Sequence, residues 1–419
     1  MTRTAKIIVA GFLVRAFLGQ ALFWISWLRL PIASSLQIGD GFWFFAADGP
    51  EYLLMAKGGA GHGLWGILTS EARVSSHVFT RLVAICVMYL GPFASVAILI
   101  NCAAYALTCA ILVRLGKNDV LLAAIAFCPA AILFSTQLLK DTLFFLFIVL
   151  MVAIFRRWQE LWRSGGTVRQ FIACAAAMVA IVFALGGIRW YFAASVWGAS
   201  AIFLALVIWT ARHRGRALAV SVILFVLLAQ AVRLGGRDMP PQIKQILNPT
   251  TTLQSKPTVV TKLAGTAQRG FDTTPAATTI VPGPSVEALP KFASRLVTGF
   301  SATFLPRFLA QSLGLIHIGG GRGFWLFAEV DTIVFDLVLL YVIVYCVRVL
   351  RSGTARATPL FVLCILVFVL TAGPMIFTVN NFGTLFRLRQ MLYVIAVVTA
   401  ITLRTREDEE NDRVGSSIA

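Results

Sequence analysis

Hydrophobic positions in this chain run in long unbroken blocks. Residues 6–29 make the first block, and a bilayer crossing needs about 20 predominantly apolar residues. A polar interval, 30–76, follows. Residues 77–91 are then apolar but short, and Gly91-Pro92 separates them from 93–114. Further blocks at 119–138, 141–155, 170–188, 190–210, 217–233, 324–347, 358–378 and 388–403 each predict a helical span. If 77–114 crosses once, with 77–91 in the interface or re-entering, the pattern predicts an all-α fold, a polytopic transmembrane helical bundle of about ten spans.

Basic residues set the orientation. Arg3 and Lys6 precede the first block and place the N-terminus in the cytoplasm. Arg114 and Lys117, Arg156 through Arg169, Arg212 through Arg216, and Arg348 through Arg356 fall on the same side. If 77–91 crossed, Arg114 and Lys117 would lie outside. With 77–114 crossing once, both termini are cytoplasmic. The expected domains are an N-terminal membrane module over 1–233, a large external loop over 234–323, C-terminal spans over 324–404 and a cytoplasmic tail over 405–419. Within the loop, Lys291 to Leu315 mixes Phe, Leu and Arg and suits a helix lying in the interface.

Composition agrees: 58% of residues are hydrophobic, 13% are charged, and mean hydropathy is +0.84, outside the soluble range. The first block is longer than a secretory apolar region and no small-residue cleavage site follows it, so it is expected to be retained. A net charge of +18 reports orientation and contact with anionic membrane lipids. No nucleic-acid module is visible, and no nucleic-acid partner is expected. Cys86, Cys102, Cys109, Cys128, Cys174, Cys346 and Cys364 all fall in apolar blocks without metal-ligand spacing.

The predicted outer face collects the candidate chemistry. Asp40, Asp48, Glu51 and His62 lie in the first polar interval. Asp48 and Tyr52 are four apart, on one face of a helix that Pro50 suits and that Asp48 or Gly49 would cap. Lys140-Asp141 marks a tight turn, and Arg189 precedes Trp190-Tyr191 at another. Arg237, Arg295, Arg307, Arg322, Arg387 and Arg389 join them, against the positive-inside tendency. Several have a structural alternative: helix-start acids for Asp48 and Glu51, a Gly-Asp-Gly turn for Asp40, interface anchors for Lys140 and Arg189; Arg387 and Arg389, entering a span after Gly383-Thr384, favour anion binding over anchoring. Glu329, Asp331 and Asp336 enter a later span, where an acid faces a polar cavity or a partner. Signatures of metalloproteases, serine hydrolases and phosphate loops are absent.

The spacing Asp48-x-x-x-Tyr52-x-x-x-Ala56, in the first external loop, resembles the C-type (GT-C) glycosyltransferase superfamily. The Pro129, Ser135, Lys140-Asp141 segment and Gly383-Thr384-Leu385-Phe386-Arg387-Leu388-Arg389 are similar to elements of its bacterial members and of related exopolysaccharide polymerases. The acid pair of the commonest members is missing. The resemblance implies transfer of a sugar from a polyprenyl-phosphate or pyrophosphate donor to a glycan or protein acceptor, outside the bacterial inner membrane. Asp48, Glu51 or Asp40 would be the base, and Tyr52, His62, Lys140, Asp141, Arg189, Arg387 and Arg389 would bind substrate. It implies no certain cofactor, is compatible with a divalent cation, and marks no residue as a metal ligand. The rivals are an O-antigen or exopolysaccharide polymerase, where arginines matter more than acids, and a lipid-linked glycan transporter or flippase.

Overall fold

The structure, a computed structural model, describes residues 1–69, 76–116, 118–211, 213–236, 280–318, 323–353, 357–379 and 382–403. Lys117, Arg212, Arg237, Arg322, Arg356, most of the 234–323 loop and the tail from 404 lie outside them. The chain falls into two compact units: Met1–Phe127 with Ala131–Asp238, and Cys128–Ala130 with Met239–Ala419.

In the first unit α1 runs Arg3–Trp27. A small ribbon follows, of β1 (Gln37–Gly39) and β2 (Phe42–Trp43). Its two-residue turn is Asp40-Gly41, both with positive φ (54° and 87°), the conformation of an Asp-Gly hairpin turn. The ribbon is tied to the end of α1: Ser26 Oγ donates to the Phe42 carbonyl (2.7 Å) and Trp43 Nε1 to that of Leu22 (2.9 Å). Next come α2 (Asp48–Ala60), α3 (Gly63–Thr69) and α4 (His77–Leu90). The 14 residues of α4 reach only about 21 Å at about 1.5 Å each, short of an apolar core about 30 Å thick.

After α5 (Val96–Leu115) the expected span 119–138 is corrected. It is broken into α6 (Asp119–Phe127) and α7 (Pro129–Ser135). Pro129 has no N–H to continue α6, and proline suits the first turn of a new helix. The freed carbonyls at the end of α6 are met by Arg15, deep in α1, whose guanidinium donates to Ala126 (2.6 Å) and Ile125 (3.3 Å). The other end of α7 is met by Asn101 of α5, whose Nδ2 donates to the Ser135 and Gln137 carbonyls (each 2.8 Å).

The span expected over 141–155 continues as α8 (Asp141–Ser164), so Arg156, Arg157 and Arg163 lie on a helix and not in a loop. Arg156 pairs with Glu160 one turn on (3.0 Å). The unit closes with α9 (Val168–Gly186), α10 (Trp190–Thr210) and α11 (Arg214–Gly235). The ends of α9 and α11 meet glycine to glycine: a Cβ on Gly235 would lie 2.3 Å from the Phe183 carbonyl oxygen, and one on Gly186 3.3 Å from the Gly236 nitrogen. Small residues let backbones approach in this way.

The second unit contains a ribbon of β3 (Ile280–Pro282) paired antiparallel to the later strand β4. Between them lie α12 (Lys291–Phe304) and α13 (Arg307–Ser312), and β4 is Ile316–Ile318. Three long helices follow: α14 (Gly323–Arg351), α15 (Pro359–Thr378) and α16 (Phe382–Ile401).

Eight described helices are long and apolar enough to cross a membrane: α1, α5, α9, α10, α11, Leu326–Arg351 of α14, Pro359–Phe377 of α15, and α16. The architecture is helical and of membrane type. Gly235→Val should force α9 and α11 apart; a loss of about 1–3 kcal/mol is expected, read as a lower unfolding temperature of the purified protein in detergent.

Candidate polar site

In the first unit Asp48 opens α2. The N-cap is Ala47, and no side chain caps the helix, so the expectation that Asp48 or Gly49 serves as cap is corrected. Tyr52, one turn on, is buried and meets Phe79 of α4 edge to face at 5.2 Å. Gly49 sits against the turn before α8, where a Cβ would lie 3.5 Å from the Leu138 carbonyl oxygen. The start of α2 therefore packs against the segment that presents Lys140.

Lys140 is half-buried, with Nζ 5.9 Å from the centre of the Tyr52 ring, within the range of a cation–π contact. It also donates to Ser76 Oγ. Ser76 is buried just before α4, and its φ of 57° puts a non-glycine residue in the left-handed region, a sparsely populated conformation held by its surroundings. Its hydroxyl lies 3.4 Å from the Ile188 carbonyl.

Asp141, the first residue of α8, forms a buried ion pair with Arg189. Arg189 Nη1 also donates to the Tyr191 hydroxyl (3.0 Å), and its guanidinium lies 5.2 Å from the Phe144 ring centre. Segments from four places in the sequence, near 48–52, 76–79, 138–142 and 188–191, thus converge. Two buried polar atoms adjoin them without a hydrogen-bond partner among the described residues, Gln137 Oε1 and Thr142 Oγ1. The cluster offers a half-buried ammonium, a hydroxyl and a helix-start carboxylate, and Arg189 is directed at Asp141.

The remaining expected residues are placed differently. Asp40 occupies the exposed hairpin turn, where its backbone conformation shapes the ribbon. Glu51 is exposed on α2. His62 is exposed beyond the far end of α2, about 20 Å along the helix from Asp48 at about 1.5 Å per residue. Arg387 and Arg389 belong to the second unit.

That unit has its own polar centre. Arg389 is buried and donates to Asp331 (2.9 Å) and to the Thr332 hydroxyl (2.8 Å), between the rings of Phe335 and Phe386. Asp331 also accepts from Gln390 Nε2 (3.0 Å) and the Ala130 backbone N–H (2.8 Å). Arg389 is therefore closed into an ion pair, while Arg387 is half-buried on a different face of α16. Glu329 accepts from the Phe308 N–H (3.1 Å) at the start of α13. Burial pulls the neighbouring Arg307 below its usual range, and the charge of Glu329 opposes this.

Ser76, Gln390 and Arg15 complete these networks and were not singled out from the sequence. Arg15 carried a signal, being an arginine inside an apolar block. Ser76 and Gln390 carried none. Among the described residues no three His, Cys, Asp or Glu side chains gather as metal ligands. No family model, curated protein or solved structure matches the chain.

Removing one partner of a buried pair leaves a stranded charge, at a cost of about 3–5 kcal/mol, whereas replacing both with apolar residues costs far less. Arg189→Leu should therefore lower the unfolding temperature in detergent more than the double replacement Asp141→Leu, Arg189→Leu does.

Proposed function

We propose that this chain is an integral membrane glycosyltransferase of the C-type superfamily, carrying a sugar from a polyprenyl-linked donor to an acceptor at the external face of the bacterial inner membrane, with both termini in the cytoplasm. The observation that carries the reading is the convergence at the start of α2: Gly49 and Tyr52, in the turn that begins at Asp48, pack against the segment that presents Lys140. Carboxylate and ammonium in so apolar a chain mark a site of chemistry more readily than a site of packing.

In this reading Asp48 takes the proton of the acceptor hydroxyl. The acceptor oxygen then bonds to the anomeric carbon as the bond from that carbon to the phosphate oxygen breaks. The leaving phosphate gains negative charge, and the Lys140 ammonium stabilises it from a fixed position. Arg189 acts as a positioning residue: by holding Asp141 it fixes the start of α8, and so the backbone that carries Lys140. The Tyr52 ring lies within cation–π range of the lysine. A polymerase, where arginines matter more than acids, is the second reading, and two of its candidate arginines, Arg189 and Arg389, are engaged with carboxylates.

The test is sugar transfer by the reconstituted protein, supplied with radiolabelled hexoses on polyprenyl phosphate. Asp48→Asn should reduce the rate about 10²–10⁴-fold with the unfolding temperature unchanged, and Lys140→Ala should lower it as well. Wild-type transfer by Asp48→Asn would refute the assignment. Transport of an intact lipid-linked glycan with no transfer would replace it with a flippase.

A further inference from the structure

The helix α12 is amphipathic in the opposite sense to a helix on a water-soluble protein. Its inward face is small and hydroxyl-bearing: Ser294, Thr298, Gly299, Ser301, Ala302 and Thr303 are buried. Its outward face carries Phe292 (71% exposed), Leu296 (39%) and Phe300 (50%), spaced four apart and so aligned in one stripe. In α13, Phe308, Leu309 and Leu313 just beyond it are exposed as well.

The inward face explains how α12 is held. A Cβ on Gly299 would lie 2.0 Å from the Ile376 carbonyl oxygen, so only glycine permits this approach to α15. Arg295 Nε donates to the Phe377 carbonyl (2.6 Å), and Phe292 stacks on Phe377 at 5.1 Å. These partners lie in the last turn of α15, one of the helices able to cross a membrane. A helix fastened to the end of a span sits at the level where hydrocarbon gives way to headgroups. With 14 residues α12 is about 21 Å long, too short to cross a core of about 30 Å.

We infer that α12 and α13 lie in the plane of the bilayer interface, with Phe292, Leu296 and Phe300 immersed among lipid acyl chains. The occupant of the exposed stripe is lipid because the stripe is continuous, through the Phe292–Phe377 stack, with the apolar outer surface of α15, where Ile365, Val369 and Leu370 are exposed. Lys291, exposed at the start of the helix, is placed to reach up to the phosphates, as lysines do at such boundaries. The assignment is independent of the proposed transferase chemistry.

Nitroxide spin labels on Leu296→Cys and, separately, Phe300→Cys, with the unsubstituted protein's label signal subtracted, test this in phosphatidylcholine and phosphatidylglycerol vesicles. Oxygen should collide with both labels more often than a water-soluble nickel chelate does, at a depth of about 5–10 Å below the phosphates. Nickel-dominated collision at both sites would show a water-facing helix and overturn the inference. So would protection from both reagents, which would mean that protein, such as a second copy of the chain, covers the stripe. Because both substituted side chains point outward, the fold should tolerate either change, and the two sites check each other.

Discussion

Charge withdrawn from water has to be met inside the chain, and this constraint shapes the polar interior of both units. Among the described residues the buried arginines are Arg15, Arg189 and Arg389, and the buried acids are Asp141 and Asp331. Two of the arginines take the two acids. Arg15 donates to the carbonyls left free where α6 stops, the end at which a helix dipole favours a cation. The break before Pro129 and the arginine inside the first apolar block are thus two halves of one arrangement.

The same logic separates positioning groups from reactive ones. A guanidinium already paired with a carboxylate, hydrogen-bonded to a hydroxyl and lying beside an aromatic ring has little left to offer a phosphate. Arg189 and Arg389 are both of this kind. Lys140, by contrast, is half-buried and donates to the neutral Ser76 hydroxyl. Arg189 and Arg389, both expected from the sequence to bind substrate, are thus closed into ion pairs.

Much of the fold was legible along the chain. Long apolar blocks, their basic flanks and the scarcity of charge are enough to specify a helical membrane protein, because hydrocarbon leaves a spanning backbone few ways to satisfy its own hydrogen bonds. The Asp48–Tyr52 spacing read correctly as one helical face, and Gly39-Asp40-Gly41 as a turn. Block length misled at 119–138, where an apolar run of full spanning length conceals a proline break, and at 141–155, where arginines continue the helix past the apolar run.

By itself, then, the sequence determined the solvent this protein uses, most of the segments that form helices, and the facing of Tyr52 and Ala56, since periodicity and hydropathy are local properties. Only the tertiary structure decided which charges meet. It set Asp141 against Arg189 and Asp331 against Arg389, brought Ser76 to Lys140, and turned the hydroxyl face of α12 inward. Those choices depend on contacts between residues tens of positions apart, and no spacing along the chain encodes which distant carboxylate an arginine will find.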